Sequence, residues 1–480
     1  MKVLMVSAEC NPFAKVGGLA DVVGALPKAL EKLNVSVEII LPFYHKIQTG
    51  PWKLASHPDV PHLTLGAPFE GIFPVFRTTF PGSSIPVTFI GHPDYFDRPG
   101  IYDDPKTGEG YPDQALRWIF FSQAVRAYVL ALKERPDILH VHDNHVGLVP
   151  AYVRHGRLPL RTVFHIHNLA YQGNYDFKYF PYLRLPLEWV RPGQPLEYYG
   201  KLSFMKSGIL FSDKVVTVSP TYAKEVTSDP EFGMGMEGVL QSRGKDFVGI
   251  LNGIDEDEWN PVTDPLLPFH YNVADPSGKA RVKSALLEAF GLPQAGRAPL
   301  LGMVTRLADQ KGLDLVAEAF PEMMKLGVKM VMLGTGQLQY HEIFTKFQKE
   351  YPQAFGLKLA FDNRIAHMIE GGADMFLMPS HFEPCGLNQM YSLRYGTVPL
   401  VRATGGLADT VHRVSEDGGT GTGFVFYDKS AGALLDELKR SLALFNQGNL
   451  WSGIMRRGME EDFSWTASAR KCKELYSSLL

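Results

Sequence analysis

Two successive series of short apolar runs, each alternating with longer stretches of helical periodicity, confine this chain to folds built on parallel β-sheets. In the first series the runs fall at 2–8, 36–41, 87–91, 138–141, 162–166, 214–218 and 247–251; in the second at 300–305, 329–333, 358–361, 375–378, 398–401 and 423–426. Runs without polar alternation suit strands buried on both faces, and intervening helices are what cover those faces. The segment 115–133 shows such a helix, with Trp118, Phe121, Val125, Tyr128, Val129 and Leu132 on one side. Further helices are predicted over 279–290, 313–326, 387–395 and 431–446. Between the series, 252–278 is rich in Pro, Asp and Asn, lacks a period and reads as an interdomain connection.

The predicted architecture is α/β, with two Rossmann-like doubly wound parallel-sheet domains facing a deep interdomain cleft. Residues 1–252 form the first domain and 253–456 the second. Residues 457–480 return as an amphipathic helix to the first domain. Residues 50–115, full of Pro, Gly and aromatics, are expected to hold a hairpin and surface loops. Pro27 is expected to kink or split the helix that opens near Gly18, since an interior proline costs about 3 kcal/mol.

Composition narrows the function. Of 480 residues 45% are hydrophobic, enough for two cores, and the net charge is −3. That balance argues against a bulk polyanion as the main partner, so no nucleic acid is expected, while leaving room for a local basic pocket for one small phosphate ligand. The three cysteines, Cys10, Cys385 and Cys472, are far apart and without CxxC spacing, as in reduced cytosolic proteins. No apolar run reaches membrane-spanning length, and with a first strand predicted from residue 2 no leader is expected. A cytoplasmic protein with no membrane partner is expected.

The chemistry collects in loops that follow strands. Lys15-Val-Gly-Gly-Leu-Ala-Asp21 joins the first strand to a helix. Gly17 and Gly18 let backbone approach closely, helix-start N–H groups favour an anion, and Lys15 adds a full charge. A tight structural turn is the alternative, because the pattern is neither GxGxxG nor a P-loop. In the second series, Thr305-Arg-Leu-Ala-Asp-Gln-Lys-Gly312 puts Arg306 and Lys311 in the loop after its first strand. A guanidinium and an ammonium at such a turn suit a diphosphate. A solvated surface loop is the bland reading. Phe382-Glu-Pro-Cys-Gly-Leu-Asn-Gln389 then brings Glu383 beside the Gly386 and Leu387 amides at a helix start, and Thr404-Gly405-Gly406 forms one more glycine turn.

His140-Val-His-Asp-Asn-His145 approaches the HxHxDH pattern of metallohydrolases, with His165 and His167 nearby in sequence, but Asn144 replaces its aspartate. No metal is assigned to it. Met234-Gly-Met236 and its surroundings read as a surface loop.

The segments KVGGLADVVG, HNLAYQG, LNGID, TRLADQKG, FEPCGLNQMY and TGGLADTV together resemble those of the bacterial and plant glycogen/starch synthases. That family comprises retaining glycosyltransferases that extend α-1,4-glucan from a nucleotide-activated glucose, and the likeness runs from Lys2 to about Tyr476. It implies a donor diphosphate held by Lys15, Arg306 and Lys311, with the Gly17 and Gly18 amides assisting and Asp21 in the donor loop. It implies glucose contacts from Glu383, Cys385, Gly386 and Leu387, with Thr404, Gly405 and Gly406 beside them. His167, Asn168, Asp143 and Asn252 take sugar-side places, and Tyr102 and Tyr171 contact acceptor or glucose. The implied donor is ADP-glucose, with UDP-glucose as the alternative, and the implied acceptor is glycogen or a malto-oligosaccharide. No cofactor is implied, since positive side chains replace a divalent ion. Retention needs either two displacements through a covalent intermediate or same-face departure and attack; no residue is marked as a nucleophile, and the resemblance favours same-face attack with the departing phosphate as base. Tyr391 stands where related transferases carry a ribose-binding Glu. Asn144 and His165 depart from the pattern, which has Trp and a small or β-branched residue there. A glucan phosphorylase would need a pyridoxal-phosphate lysine motif, which is absent. An inactive glucan-binding protein would lack one of Lys15, Arg306, Lys311 and Glu383, and all four are present.

Overall fold

The computed structural model describes all residues, Met1–Leu480. The chain forms two compact units. One comprises Met1–Val218, Ala223–Gly253 and Trp465–Leu480; the other comprises Ser219–Tyr222 and Ile254–Ser464.

The first unit is built on strands β1 (Lys2–Val6), β2 (Ser36–Pro42), β3 (Gly71–Thr79), β4 (Pro86–Ile90), β5 (Ile138–His142), β6 (Arg161–Ile166), β7 (Lys214–Thr217) and β8 (Phe247–Gly249). Their order is β8-β7-β6-β5-β1-β2-β4-β3, parallel except for β3, which forms a hairpin with β4. Short strands at Ala55–Ser56 and His62–Leu65 extend the β3 edge. The central strands carry no polar alternation because both faces are covered: every residue of Ile138–His142 is buried.

Helix α1 (Gly18–Lys32) continues through Pro27 as one helix and is not split in two there. Proline lacks the N–H that would meet the Val23 carbonyl, and the Cys10 thiol lies 3.6 Å from that oxygen instead. The closing helix, Trp465–Ser477, belongs to this unit and starts later than the predicted 457, since residues 457–459 end the preceding helix Gly448–Met459 and Glu460–Ser464 carries the chain as loop. It packs on α1, Lys473 Nζ donates to the Leu33 carbonyl at 2.9 Å, and Ser468 Oγ bonds the Leu251 carbonyl.

The second unit holds β9 (Leu300–Val304), β10 (Lys329–Leu333), β11 (Phe355–Lys358), β12 (Met375–Met378), β13 (Val398–Arg402) and β14 (Phe424–Phe426). All run parallel in the order β11-β10-β9-β12-β13-β14. β11 sits three residues before the predicted run at 358–361, whose Phe361 is 93% exposed. Apolar side chains fill both faces, with Leu301, Met303, Met330 and Leu400 on one side and Leu300, Val331, Phe376 and Val401 on the other. Ser219–Tyr222 groups here because Ser219 Oγ donates to the Pro384 carbonyl at 2.8 Å and Thr221 Oγ1 to Asp409 Oδ1 at 2.7 Å. No helix is long and apolar enough to cross a membrane.

Both sheets reverse their winding at the first strand of the unit. β1 lies between β2 and β5, and β9 between β10 and β12. Loops leaving the carboxyl ends of β1 and β5, and of β9 and β12, therefore diverge and leave a crevice, the usual ligand position in such sheets.

Candidate functional site

The crevice at β9 and β12 gathers the predicted residues of the second unit. The loop after β9 carries Arg306 and Lys311 into α2 (Leu313–Lys325), and the loop after β12 carries Glu383 into α3 (Asn388–Arg394). Lys311 Nζ lies 2.7 Å from Glu383 Oε2, and Ser380 Oγ donates to the same oxygen at 3.0 Å. Glu383 is buried, so this charge-assisted pair holds a carboxylate that water does not reach freely. The two loops are tied together elsewhere as well: Gln310 Nε2 donates to the Phe382 carbonyl at 3.1 Å and the His381 N–H to the Gln310 carbonyl at 2.8 Å. His381 Nε2 lies 2.8 Å from Asp314 Oδ1, while Arg402 Nε donates to the Ser380 carbonyl at 2.8 Å. Arg306 extends a guanidinium nitrogen to 3.5 Å from Gln310 Oε1.

Glycines allow this closeness. Gly312 has φ 65°, and a Cβ there would stand 2.0 Å from the Pro379 carbonyl oxygen. Gly405, with φ 44°, would meet the Glu383 carbonyl oxygen at 2.0 Å, and Gly406 the Cys385 oxygen at 1.9 Å. The Thr404-Gly405-Gly406 turn thus lies directly on the Glu383–Cys385 backbone, and the Gly406 N–H donates to the Glu383 carbonyl at 3.1 Å. Gln389 closes the loop from the other side, donating to the Cys385 and Gly386 carbonyls at 3.0 Å. Leu387 caps α3. Tyr391 stacks on Trp259 with ring centroids 3.7 Å apart.

At the crevice of the first unit, Glu9 is the residue the motif reading missed. Its Oε2 accepts the Val16 N–H at 2.5 Å and the Gly17 N–H at 2.9 Å, and its Oε1 accepts the Tyr102 hydroxyl at 2.7 Å. The carboxylate is buried, which pushes its pKa up, against the pull of those three bonds. The Gly17 amide is therefore committed to Glu9, and the Tyr102 hydroxyl also points there. The only hint in the sequence is an acid directly after an apolar strand. Lys15 and Asp21 pair at 2.6 Å on the exposed side of the same loop, and neither Gly17 nor Gly18 has any atom within 4 Å of where a Cβ would be.

Asp143 follows β5 with φ 61° and is buried; its Oδ1 accepts the His167 N–H at 2.7 Å. Burial pushes its carboxyl up to about 7 despite the N–H donors of His167 and Asn168. His167 Nε2 lies 3.0 Å from His142 Nδ1, and burial keeps His167 well below the usual imidazole range. Asn168 Oδ1 accepts the Ala170 N–H at 3.0 Å, and Tyr171, 54% exposed, ends this turn. Asn144 braces the turn by donating to the Tyr171 carbonyl at 2.9 Å. Asn252 is buried in the segment after β8.

The geometry thus joins Lys311 with Glu383, the 404–406 turn with Glu383–Cys385, Lys15 with Asp21, and Asp143 with His167.

Residues 2–242 match the family model described as starch synthase catalytic domain, and residues 288–447 that of glycosyl transferases group 1. A glycogen synthase of Anaeromyxobacter dehalogenans (strain 2CP-C) is 45% identical over 100% of both chains. One of Syntrophotalea carbinolica is 42% identical over 99% of this chain and 98% of its own. The catalytic domain of starch synthase IV from Arabidopsis thaliana, solved bound to ADP and acarbose, superposes with a TM-score of 0.88 at 34% identity, covering 99% of each chain. With both units matched and the likeness running the full length, the chain belongs to the glycogen and starch synthase family of glycosyltransferases.

Proposed function

We propose that this enzyme transfers glucose from ADP-glucose to the non-reducing end of an α-1,4-glucan, with retention of configuration and without a catalytic metal. The observation that carries the reading is the Lys311–Glu383 pair at the carboxyl ends of β9 and β12. A buried carboxylate is suited to accept hydroxyls of the transferred glucose, and an ammonium fixed beside it to meet the departing diphosphate. Binding of ADP and acarbose by the Arabidopsis relative supports the choice of base and of a saccharide acceptor.

As the glycosidic bond breaks, negative charge grows on the phosphate oxygen. Arg306, Lys311 and Lys15 are the cations assigned to neutralise it, as fixed charges that need little solvent reorganisation. The Gly18 amide, Asp21 and the Gly386 and Leu387 backbone orient the donor, and the 404–406 turn fixes the Glu383 loop from behind. His167, Asn168, Asp143, Asn252 and Tyr171 take the sugar side, where neutral imidazole and amide groups donate to hydroxyls. Three buried cysteines that form no disulfide with one another suit a cytoplasmic setting.

The test is nucleotide release from ADP-glucose or UDP-glucose, with and without glycogen, in EDTA. Glycogen-dependent release of ADP is expected. Preference for UDP-glucose would overturn the base assignment, and glycogen binding without release from either donor would overturn the reaction.

A further inference from the structure

His140 and His142 project from one face of β5, and His165 from the neighbouring β6, in the register that pairs His142 with His165. All three side chains are buried, at 1%, 0% and 2% exposure. This is not the set suggested by the sequence motif: His145 lies elsewhere, stacked on Tyr102 at 4.7 Å. His165 supplies the third ring from across the ladder.

One nitrogen from each of the three rings falls within 4.8 Å of the others. His140 Nε2 and His165 Nδ1 are 3.2 Å apart. Two ligands at the Zn–N length of about 2.0–2.1 Å and a tetrahedral angle stand about 3.3 Å apart, so this pair already spans one edge of such a site. The far nitrogens of His140 and His142 are anchored. His140 Nδ1 lies 2.7 Å from Tyr476 Oη on the closing helix, and His142 Nδ1 lies 3.0 Å from His167 Nε2. With Nδ1 donating to these outer partners, Nε2 of each ring is left as an acceptor. His142 Nε2 and His165 Nε2 are buried without any hydrogen-bond partner, a costly arrangement unless something takes their lone pairs.

We propose that His140, His142 and His165 form a structural site for a borderline divalent metal ion, zinc being the best fit, that pins β5 to β6 beneath the closing helix. The ligand atoms are Nε2 of His140 and His142 and either nitrogen of His165, with water in the fourth position. The ion takes no part in glucosyl transfer, so this site stands or falls separately from the proposed function. Entry requires the closing helix to lift, which makes loading a slow step.

The full-length protein is unfolded in chelator, refolded with Zn²⁺ or with Co²⁺, freed of loose ions by gel filtration and assayed for metal by mass spectrometry. One equivalent of zinc per chain is expected, with visible d–d absorption of tetrahedral character in the cobalt form. His165→Val, a β-branched residue at home in a strand, should lose the equivalent while keeping its circular dichroism. Substitution of the exposed His62 by Ala should keep it, and Tyr476→Phe should weaken affinity about 10–100-fold. Refolded wild type without stoichiometric zinc overturns the proposal, as does a His165→Val protein that retains the full equivalent.

Discussion

Lys311 and Glu383 stand 2.7 Å apart although 72 residues separate them, because β9 and β12 are neighbours and each residue sits in the loop leaving one of these strands. Glu383 is the more buried partner, so the pair is asymmetric: removing the lysine strands a carboxylate, whereas removing the carboxylate leaves a lysine that reaches solvent. Lys311→Ala should therefore lower kcat by about 10²–10³-fold, the loss expected of one charge-stabilising group, and should also destabilise the protein. Lys311→Ala/Glu383→Gln should recover much of the stability and none of the activity. Urea titrations and initial rates of nucleotide release check both. A single variant with normal kcat would remove Lys311 from the chemistry.

The two glycine pairs serve different ends. Gly405 carries φ 44° and faces the Glu383 carbonyl, so Gly405→Ala forces a clash and a left-handed alanine at once. A loss of about 3 kcal/mol is expected, with activity falling alongside. Gly17 has open space where its Cβ would go. Gly17→Ala should leave stability within about 1 kcal/mol and raise KM for the donor. Unchanged stability with unchanged KM would mean that the first loop is a turn and does not approach the donor.

Glu9 acts on that loop from behind, through the Val16 and Gly17 amides and the Tyr102 hydroxyl. Glu9→Ala should lower kcat/KM for the donor by about 10²-fold, since misplacing a catalytic group by about 1 Å costs that much. Glu9→Gln keeps one carbonyl acceptor and should recover part of the loss. Equal effects from the two variants would count against a positioning role, and donor-concentration series for each provide the comparison.

Much of this molecule was legible in its sequence because parallel strands buried on both faces are continuous apolar runs. The runs at 329–333 and 375–378 coincide with β10 and β12. The reading slipped where apolar residues lie in solvent: Phe361 drew the strand at 358–361 away from its true place at Phe355–Lys358. Helix Leu338–Glu350 escaped notice because only Tyr340 and Phe344 of its residues are buried, too few to mark a stripe. Pro27 did not split its helix, and the carbonyl it leaves without an N–H faces Cys10, a contact made between separate elements. The loop motifs showed which residues carry charge. They could not show that Glu383 is already paired, that Glu9 occupies the Gly17 amide, or that His165 joins His140, for these depend on which strands lie side by side.

Asn144 tests how far the family's pattern can be restored in this chain. Trp is expected at this place, yet here Gly173, at φ 58°, lies so close that a Cβ on it would stand 2.5 Å from Asn144 Oδ1. Asn144 is 4% exposed and its amide holds the Tyr171 carbonyl, so the site has no room for an indole and its one hydrogen bond would be lost. Asn144→Trp should therefore destabilise the first unit by about 1–3 kcal/mol through overpacking. It should also displace the 168–173 turn, which carries Asn168 and Tyr171, and so raise KM for glycogen more than KM for ADP-glucose. Asn144→Ala removes the hydrogen bond without adding bulk and should shift the acceptor KM in the same direction by less. Calorimetry and paired substrate titrations decide the matter. An Asn144→Trp protein as stable as wild type, with unaltered acceptor KM, would show that the turn accommodates the larger ring and that Asn144 does not set its position.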